Sequence, residues 1–342
     1  MNKKKIIDYT QFEPTRNDLE VIGAFNPAVA KLGEKTVMLL RVAERAKQDK
    51  EGYFRIPRYE DGKGFDFIEL PVCDDYDFSD VRVVKGKGEF YLTSLSHFKV
   101  GFSDDGVSFD FSQGITVMPS GIYEEFGIED ARITEIDGTY FVTYTAVSRY
   151  GIHVAMMTTK DFIDFERSGN ILPADNKDCV IFPDKINGKY YMLHRPSLDN
   201  YGRLNVFTAT SNDLFGWGDH RVLENAYPEF GDIERIGAGA VPFLTKKGYL
   251  AVYHCAFRDG KYTLIAMLLD KNDPTRVLAK SASPLLQCSE DFEKSGFMED
   301  VVFTCGLVKE AETLNIYYGV CDQCVAVANI SLQEVWDNME VV

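Results

Sequence analysis

The sequence predicts an all-β fold, a β-propeller of four-stranded antiparallel sheets, on three observations. Apolar strand pairs joined by tight turns recur along the whole chain, they are evenly spaced, and almost no stretch has helical periodicity. The pairs are AVAKLGEKTVMLLRVAER (28–45), DVRVVKGKGEFYLTSLS (80–96), DARITEIDGTYFVTYTAVS (130–148), CVIFPDKINGKYYMLHRPS (179–197), AGAVPFLTKKGYLAVYHC (238–255) and VVFTCGLVKEAETLNIYYGVCD (301–322). Each is a run rich in β-branched and aromatic residues, a turn holding Gly or charge, and a second such run, which is the pattern of a hairpin.

Three pairs are followed by a more polar one with its own turn: GFSDDGVSFDF (101–111), MTTKDFIDFE (157–166) and TSNDLFGWGD (210–219). Their Asp and Gly residues supply side-chain acceptors and positive-φ positions. Two hairpins make four strands, and the unit recurs about every 50 to 60 residues, the spacing of propeller blades. The hairpin units number six, with the first and last able to combine as partial units. A helix is expected only near SLQEVWDNME (331–340). A long β-sandwich is the alternative packing of the same strands.

With 342 residues, 45% of them hydrophobic, and no Gly/Ser/Pro-rich divider, one domain spanning 1–342 is expected. The formal charge of −16 argues against nucleic acid or an anionic membrane as partner. No apolar run approaches membrane-spanning length, and MNKKKIIDYTQ lacks the apolar core of a signal peptide, so a cytoplasmic location is expected. The seven cysteines are odd in number and mostly sit in apolar runs, as reduced buried thiols do. Cys321 and Cys324 form a lone CxxC without a second ligand pair, so no metal and no organic cofactor is expected.

In a propeller, polar residues at equivalent ends of the first strands converge at the channel mouth. Those positions hold Asn26, Arg41, Arg45, Asp80, Arg82, Glu129, Asp130, Arg132, Lys177, Asp178, Lys185, His194, Arg195, Glu234, Arg235 and Asp322. Carboxylates there can hold sugar hydroxyls or move protons, and Arg and Lys can clamp an oxyanion. Asp130, at the head of an apolar strand, is the sharpest acid candidate, because partial desolvation there would raise its pKa. The alternative is an Asp130–Arg132 or sheet-to-sheet ion pair. His194, Arg195 and Lys185 concentrate positive charge on an acidic protein, which favours an anion site.

The strings GIEDARITEIDGTYFVTYTAVS, KDCVIFPDKINGKYYMLHRPS, RIGAGAVP and VVFTCGLV…YYGVCD resemble glycoside hydrolase family 130, the β-mannoside phosphorylases and mannosidases. The likeness begins at EVIGAFNPAVA (20–30) and runs to the last strand. It implies a five-bladed propeller, which takes precedence over the count of six hairpins. It also implies an inverting reaction in which Asp130 protonates the glycosidic oxygen through the mannose 3-hydroxyl while inorganic phosphate, the co-substrate, attacks the opposite face.

Carried over residue by residue, the resemblance makes Arg41, Arg45, Lys185, His194 and Arg195 phosphate or inner-subsite ligands. Asn26, Asp80, Arg235 and Asp322 become contacts to the mannosyl unit. The wording of EVIGAFNPAVA, LLRVAER and TAVSRYGI is most similar to members acting on β-1,2-mannobiose or β-1,2-mannooligosaccharides, and less similar to those acting on β-1,4-mannosyl-glucose. DFSDVR stands where the family has a DFEDPR-like string. Glu234 and Glu299 are carboxylates able to serve as a hydrolase base, so an inverting β-1,2-mannosidase stays open, as does a sugar-binding propeller without catalysis. Loop 43–64 is expected on the acceptor side, and self-association is left open.

Overall fold

Twenty-seven strands and one short helix make up the computed structural model, which describes residues 1–197 and 202–342. Five antiparallel sheets carry the architecture. The first holds Leu19–Leu32, Lys35–Ala46, Ser94–Ser103 and Thr116–Val117. The second runs in sequence order through Ile128–Ile136, Thr139–Ser148, Gly151–Thr159 and Glu166–Leu172. The third is Asn176–Ile181, Tyr190–Pro196, Phe207–Ser211 and Trp217–Val222.

The fourth sheet is built on Ile233–Ala238, Tyr249–Phe257, Tyr262–Leu269 and Val277–Ser281, extended by Met339–Val341. The fifth combines Val302–Glu310, Thr313–Val320 and Cys324–Ser331 with the strand Asn2–Asp8 from the other end of the chain. The expected combination of the first and last hairpins is not what closes the set: 28–45 and 301–322 lie in different sheets, and the fourth strand of the fifth sheet comes instead from Asn2–Asp8, with Asn2 opposite Asn329 and Asp8 opposite Cys324. The expected helix is Leu332–Asp337, capped by Ser331 and Glu334 in a reciprocal pair of hydrogen bonds.

The count of six hairpin units is corrected to five sheets. The unit at 80–96 is not a member of the series but part of an insertion between the second and third strands of the first sheet. That insertion contains a hairpin, Tyr53–Glu60 with Gly64–Pro71, and a small sheet, Tyr76–Asp80, Val83–Gly86 and Glu89–Leu92. After it the chain re-enters the first sheet, with Arg45 opposite Ser94 and Thr36 opposite Ser103. The error is physical in origin: a hairpin on a satellite sheet has the same alternating pattern as one in a repeated sheet.

Each pair of neighbouring sheets encloses its own apolar core. Leu39, Phe98, Ile133 and Val142 join the first sheet to the second; Met156, Ile181 and Met192 the second to the third; Leu193, Ile236 and Tyr253 the third to the fourth. Val252, Leu264, Val302 and Tyr318 join the fourth to the fifth, and Met38, Leu40, Val308 and Val325 bring the fifth back onto the first. Ile56, Leu70 and Val84 seat the insertion on Phe126 and Val147.

The polar second hairpins close on one repeated turn. Ser103, Thr159 and Ser211 hydroxyls each accept a backbone N–H at 2.9 Å, from Gly106, Phe162 and Leu214. Asp105, Asp161 and Asp213 each accept the two N–H groups that follow, at 2.7–3.0 Å. The same device in three sheets fixes the same turn between third and fourth strands.

Candidate active site

Every first strand carries a β-bulge, marked by a register shift at Phe25/Ala28, Glu129/Arg132, Lys177/Val180, Ile233/Arg235 and Thr304/Gly306, and the first strand of the first sheet has a second shift at Val21/Gly23. In the first three sheets the bulge holds Asn26, Asp130 and Asp178, with φ of 48°, 48° and 53°. Left-handed backbone is tolerated best by Gly, Asn and Asp, and a bulge re-aims the side chains around it. The residue just before each, Phe25, Glu129 and Lys177, lines a cavity of about 590 Å³. Gly127, with φ 108°, precedes this turn so close to Ser96 that a Cβ would lie 2.5 Å from its backbone N and O, so the GIEDAR string needs glycine there.

The cavity brings together three carboxylates, Glu129, Asp130 and Asp322, and three cations, Arg41, Arg82 and Lys177, with Phe25, Tyr262, Phe297, Met298 and Phe303 among its apolar lining. Asp130 is buried, and its Oδ1 accepts Asn26 Nδ2 at 2.9 Å and Arg41 Nη1 at 2.9 Å. Arg41 Nη2 reaches Glu129 Oε1 at 2.7 Å, Nε reaches Ser96 Oγ at 3.0 Å, and the guanidinium lies 4.6 Å from the Phe25 ring centroid. Asn26 Oδ1 is buried with no hydrogen-bond partner among the described residues.

Burial pushes the Asp130 carboxyl up, but the Arg41 guanidinium, then Lys177 and Arg132, pull further the other way and hold it below the usual aspartate value. The expected upward shift is thus corrected for the unliganded protein. Asp322 has the raised pKa instead: burial, partly offset by Arg41 and reinforced by the nearby Asp130 charge, pushes it up to about 6.

Behind Asp130 lies a second buried cluster. Asp178 is within 3.2 Å of Arg132 Nη2, 3.1 Å of Arg195 Nη2 and 3.4 Å of His254 Nε2. Arg132 also donates to the carbonyls of Asp130, Ala238 and Gly239. The Asp130–Arg132 side-chain pair considered above is replaced by this carbonyl contact. Gly237 of RIGAG is where a Cβ would lie 2.3 Å from Asp178 Oδ2 and 2.6 Å from the His254 ring, so that string is the wall against which the cluster closes.

Of the sequence-assigned residues, Asn26, Arg41, Asp130 and Asp322 meet at the cavity. The others are corrected. Lys185 sits at the far turn of its hairpin, over Tyr190 and beside Asp184 and Lys271, because the strand Asn176–Ile181 runs away from the cavity. His194 is buried between Asn176 Oδ1 and His220 Nδ1, each at 3.0 Å, and burial lowers its pKa to about 3. Arg195 is committed to Asp178, with Nε and Nη1 buried and unpartnered among the described residues.

Arg45 pairs with Glu20 at 2.6 Å in an exposed position. Asp80 pairs with Arg82 at 3.2 Å, and Arg82, not Asp80, reaches the cavity. Arg235 contacts Glu234 and the Tyr262 hydroxyl, so it touches the site through Tyr262. Of loop 43–64 only Ala43 lines the cavity; the insertion contributes Arg82, Val83 and Leu92 instead. Lys177, absent from the assigned ligands, is the cavity cation with no ion-pair partner among the described residues. Its signal was its place directly before a bulge Asp, as Glu129 precedes Asp130. Lys177→Ala is expected to raise the KM for an anionic co-substrate about tenfold or more, and Lys185→Ala to leave it within about twofold, as steady-state kinetics checks.

Among the described residues no group of three or more His, Cys, Asp or Glu is placed to hold a metal. No described helix is long and apolar enough to cross a membrane.

A family profile described as beta-1,4-mannooligosaccharide phosphorylase matches residues 81–341. The chain is 43% identical to a beta-1,2-mannobiose phosphorylase of Listeria innocua over 96% of this chain and 94% of that protein. It is 36% identical to a 1,2-beta-oligomannan phosphorylase of a Thermoanaerobacter species over 72% of this chain and 82% of the relative. A solved structure of the Listeria innocua beta-1,2-mannobiose phosphorylase in complex with beta-1,2-mannobiose superposes with a TM-score of 0.94, 41% identity and 99% coverage of both chains. The chain therefore belongs to glycoside hydrolase family 130.

Proposed function

We propose that this chain is an inverting phosphorylase that cleaves β-1,2-mannobiose or β-1,2-mannooligosaccharides with inorganic phosphate, giving α-mannose 1-phosphate. The observation that carries the reading is the cavity in which the buried Asp130 is held by Asn26 and Arg41 and which also holds Lys177, a cation with no ion-pair partner among the described residues. The near full-length likeness to β-1,2-mannobiose phosphorylase supports the linkage. The five sheets, each packed on the next with the fifth on the first, are read as a five-bladed propeller acting as one catalytic unit.

In this reading Lys177, with Arg41 and Arg82, holds phosphate, and Asn26 Oδ1 accepts a mannosyl hydroxyl. A phosphate anion beside Arg41 and Lys177 offsets the field that keeps Asp130 ionised, so Asp130 gains a proton as phosphate binds. That proton passes through the mannose 3-hydroxyl to the glycosidic oxygen as the C–O bond breaks. A phosphate oxygen bonds the anomeric carbon from the opposite face, and the proton phosphate sheds restores the balance. No metal or organic cofactor takes part. A charged sugar phosphate does not leak across a membrane, which suits a cytoplasmic enzyme.

An inverting hydrolase needs a carboxylate base for water. Glu234 and Glu299 are exposed and neither lines the cavity, so neither is placed to serve as that base. The test is a panel of β-1,2- and β-1,4-linked mannobiose with and without phosphate. Cleavage of the β-1,2 substrate is expected to depend on phosphate; equal cleavage in its absence would refute the assignment.

A further inference from the structure

We infer that Glu293 is a positioning residue: paired with Lys3, it anchors the segment 289–301 that forms one wall of the cavity and aims Asp322 into it. The inference rests on the reading of the site given above. Glu293 is fully buried, yet it lies outside the cavity lining. Its carboxylate accepts Lys3 Nζ at 2.8 and 3.0 Å, Ser289 N at 2.7 Å, Glu290 N at 2.9 Å and the Tyr318 hydroxyl at 2.7 Å. A buried carboxylate is kept only where such partners offset its lost hydration.

The geometry connects this anchor to the cavity through one residue. The Glu293 carbonyl accepts the Cys321 thiol at 3.1 Å. Met298 N–H donates to the Cys321 carbonyl at 3.0 Å, and Cys321 N–H to the Val301 carbonyl at 2.9 Å. Gly296 approaches so closely that a Cβ there would lie 2.5 Å from Cys321 Cβ. Cys321 and Asp322 are consecutive left-handed residues, φ 52° and 54°, a conformation that persists only when its surroundings enforce it. The segment clamps Cys321 on several sides, and its own Phe297, Met298 and Val301 line the cavity with Asp322. Lys3 belongs to the strand Asn2–Asp8 that completes the fifth sheet, so docking of that strand and the shape of the cavity wall are linked.

Phosphate-side groups Arg41 and Lys177 stand on other sheets, so loosening the anchor affects the sugar more than the anion. Lys3→Met and Glu293→Gln are each expected to raise the KM for β-1,2-mannobiose about tenfold, with the KM for phosphate within about twofold, while Lys3→Arg restores the parent value. Hydrogen exchange at the Met298 and Cys321 amides should quicken in the same two variants. This arm reports on the anchor even if the parent enzyme yields no mannose 1-phosphate, an outcome that defeats only the functional reading. If Glu293→Gln does not fold, Lys3→Met decides, because it leaves the other three partners of the Glu293 carboxylate in place. Unchanged mannobiose KM and unchanged amide protection, with or without a lower Tm, would overturn the inference.

Discussion

Asp130→Asn is expected to lower kcat by about 10²–10⁴-fold, the range for loss of a positioned proton donor, while binding of β-1,2-mannobiose stays within about threefold. Asn preserves the size of the group and an oxygen able to accept from Asn26 Nδ2 and Arg41 Nη1. It removes only the transferable proton and the charge. Calorimetric titration beside steady-state rates separates the two effects. A variant that keeps more than about a tenth of parent kcat would remove Asp130 from the acid role.

Asp178→Ala should be the most damaging single change to stability. Asp178 is the carboxylate for two buried guanidinium groups, Arg132 and Arg195, while His254, whose pKa burial lowers to about 4, is neutral at pH 7. Removing it leaves two cations uncompensated in the interior, a defect of about 3–5 kcal/mol against a total near 5–15 kcal/mol. Urea unfolding measures it, and a loss under about 1 kcal/mol would contradict the ion-pair account. Although burial opposes ionisation, Arg195, His254 and Arg132 hold Asp178 well below the usual aspartate value. Its contribution is therefore complete above the unfolded aspartate pKa and is lost only as pH falls below that toward the native value.

The strand pairs and their turns were legible because alternation and Asx-rich turns are local signals. The closing strand Asn2–Asp8 was not legible, since its partner strand lies more than three hundred residues away and a lone short strand gives no hairpin pattern. The satellite sheet at 76–92 was counted as a repeat because its residues alternate like any other strand. At the site, Asn26, Arg41, Asp130 and Asp322 were legible as polar residues at the ends of repeated strands, whereas the left-handed backbone of Asn26, Asp130 and Asp322 and the bulge opposite Arg41 leave no pattern in composition or alternation. Lys185 and Lys177 were both on the same hairpin, eight residues apart, roughly 25 Å along an extended strand, and composition does not say which end faces the cavity. His194 and Arg195 illustrate a different gap: both are near the site, but their partners Asn176, His220 and Asp178 enclose them.

The central claim is that phosphate, not water, takes the mannosyl group. It is tested most directly by following β-1,2-mannobiose in phosphate buffer by proton and phosphorus NMR. The account predicts one α-mannose 1-phosphate and one mannose per disaccharide cleaved, with phosphate consumed in equal amount. Two mannose per disaccharide with phosphate unchanged would contradict it.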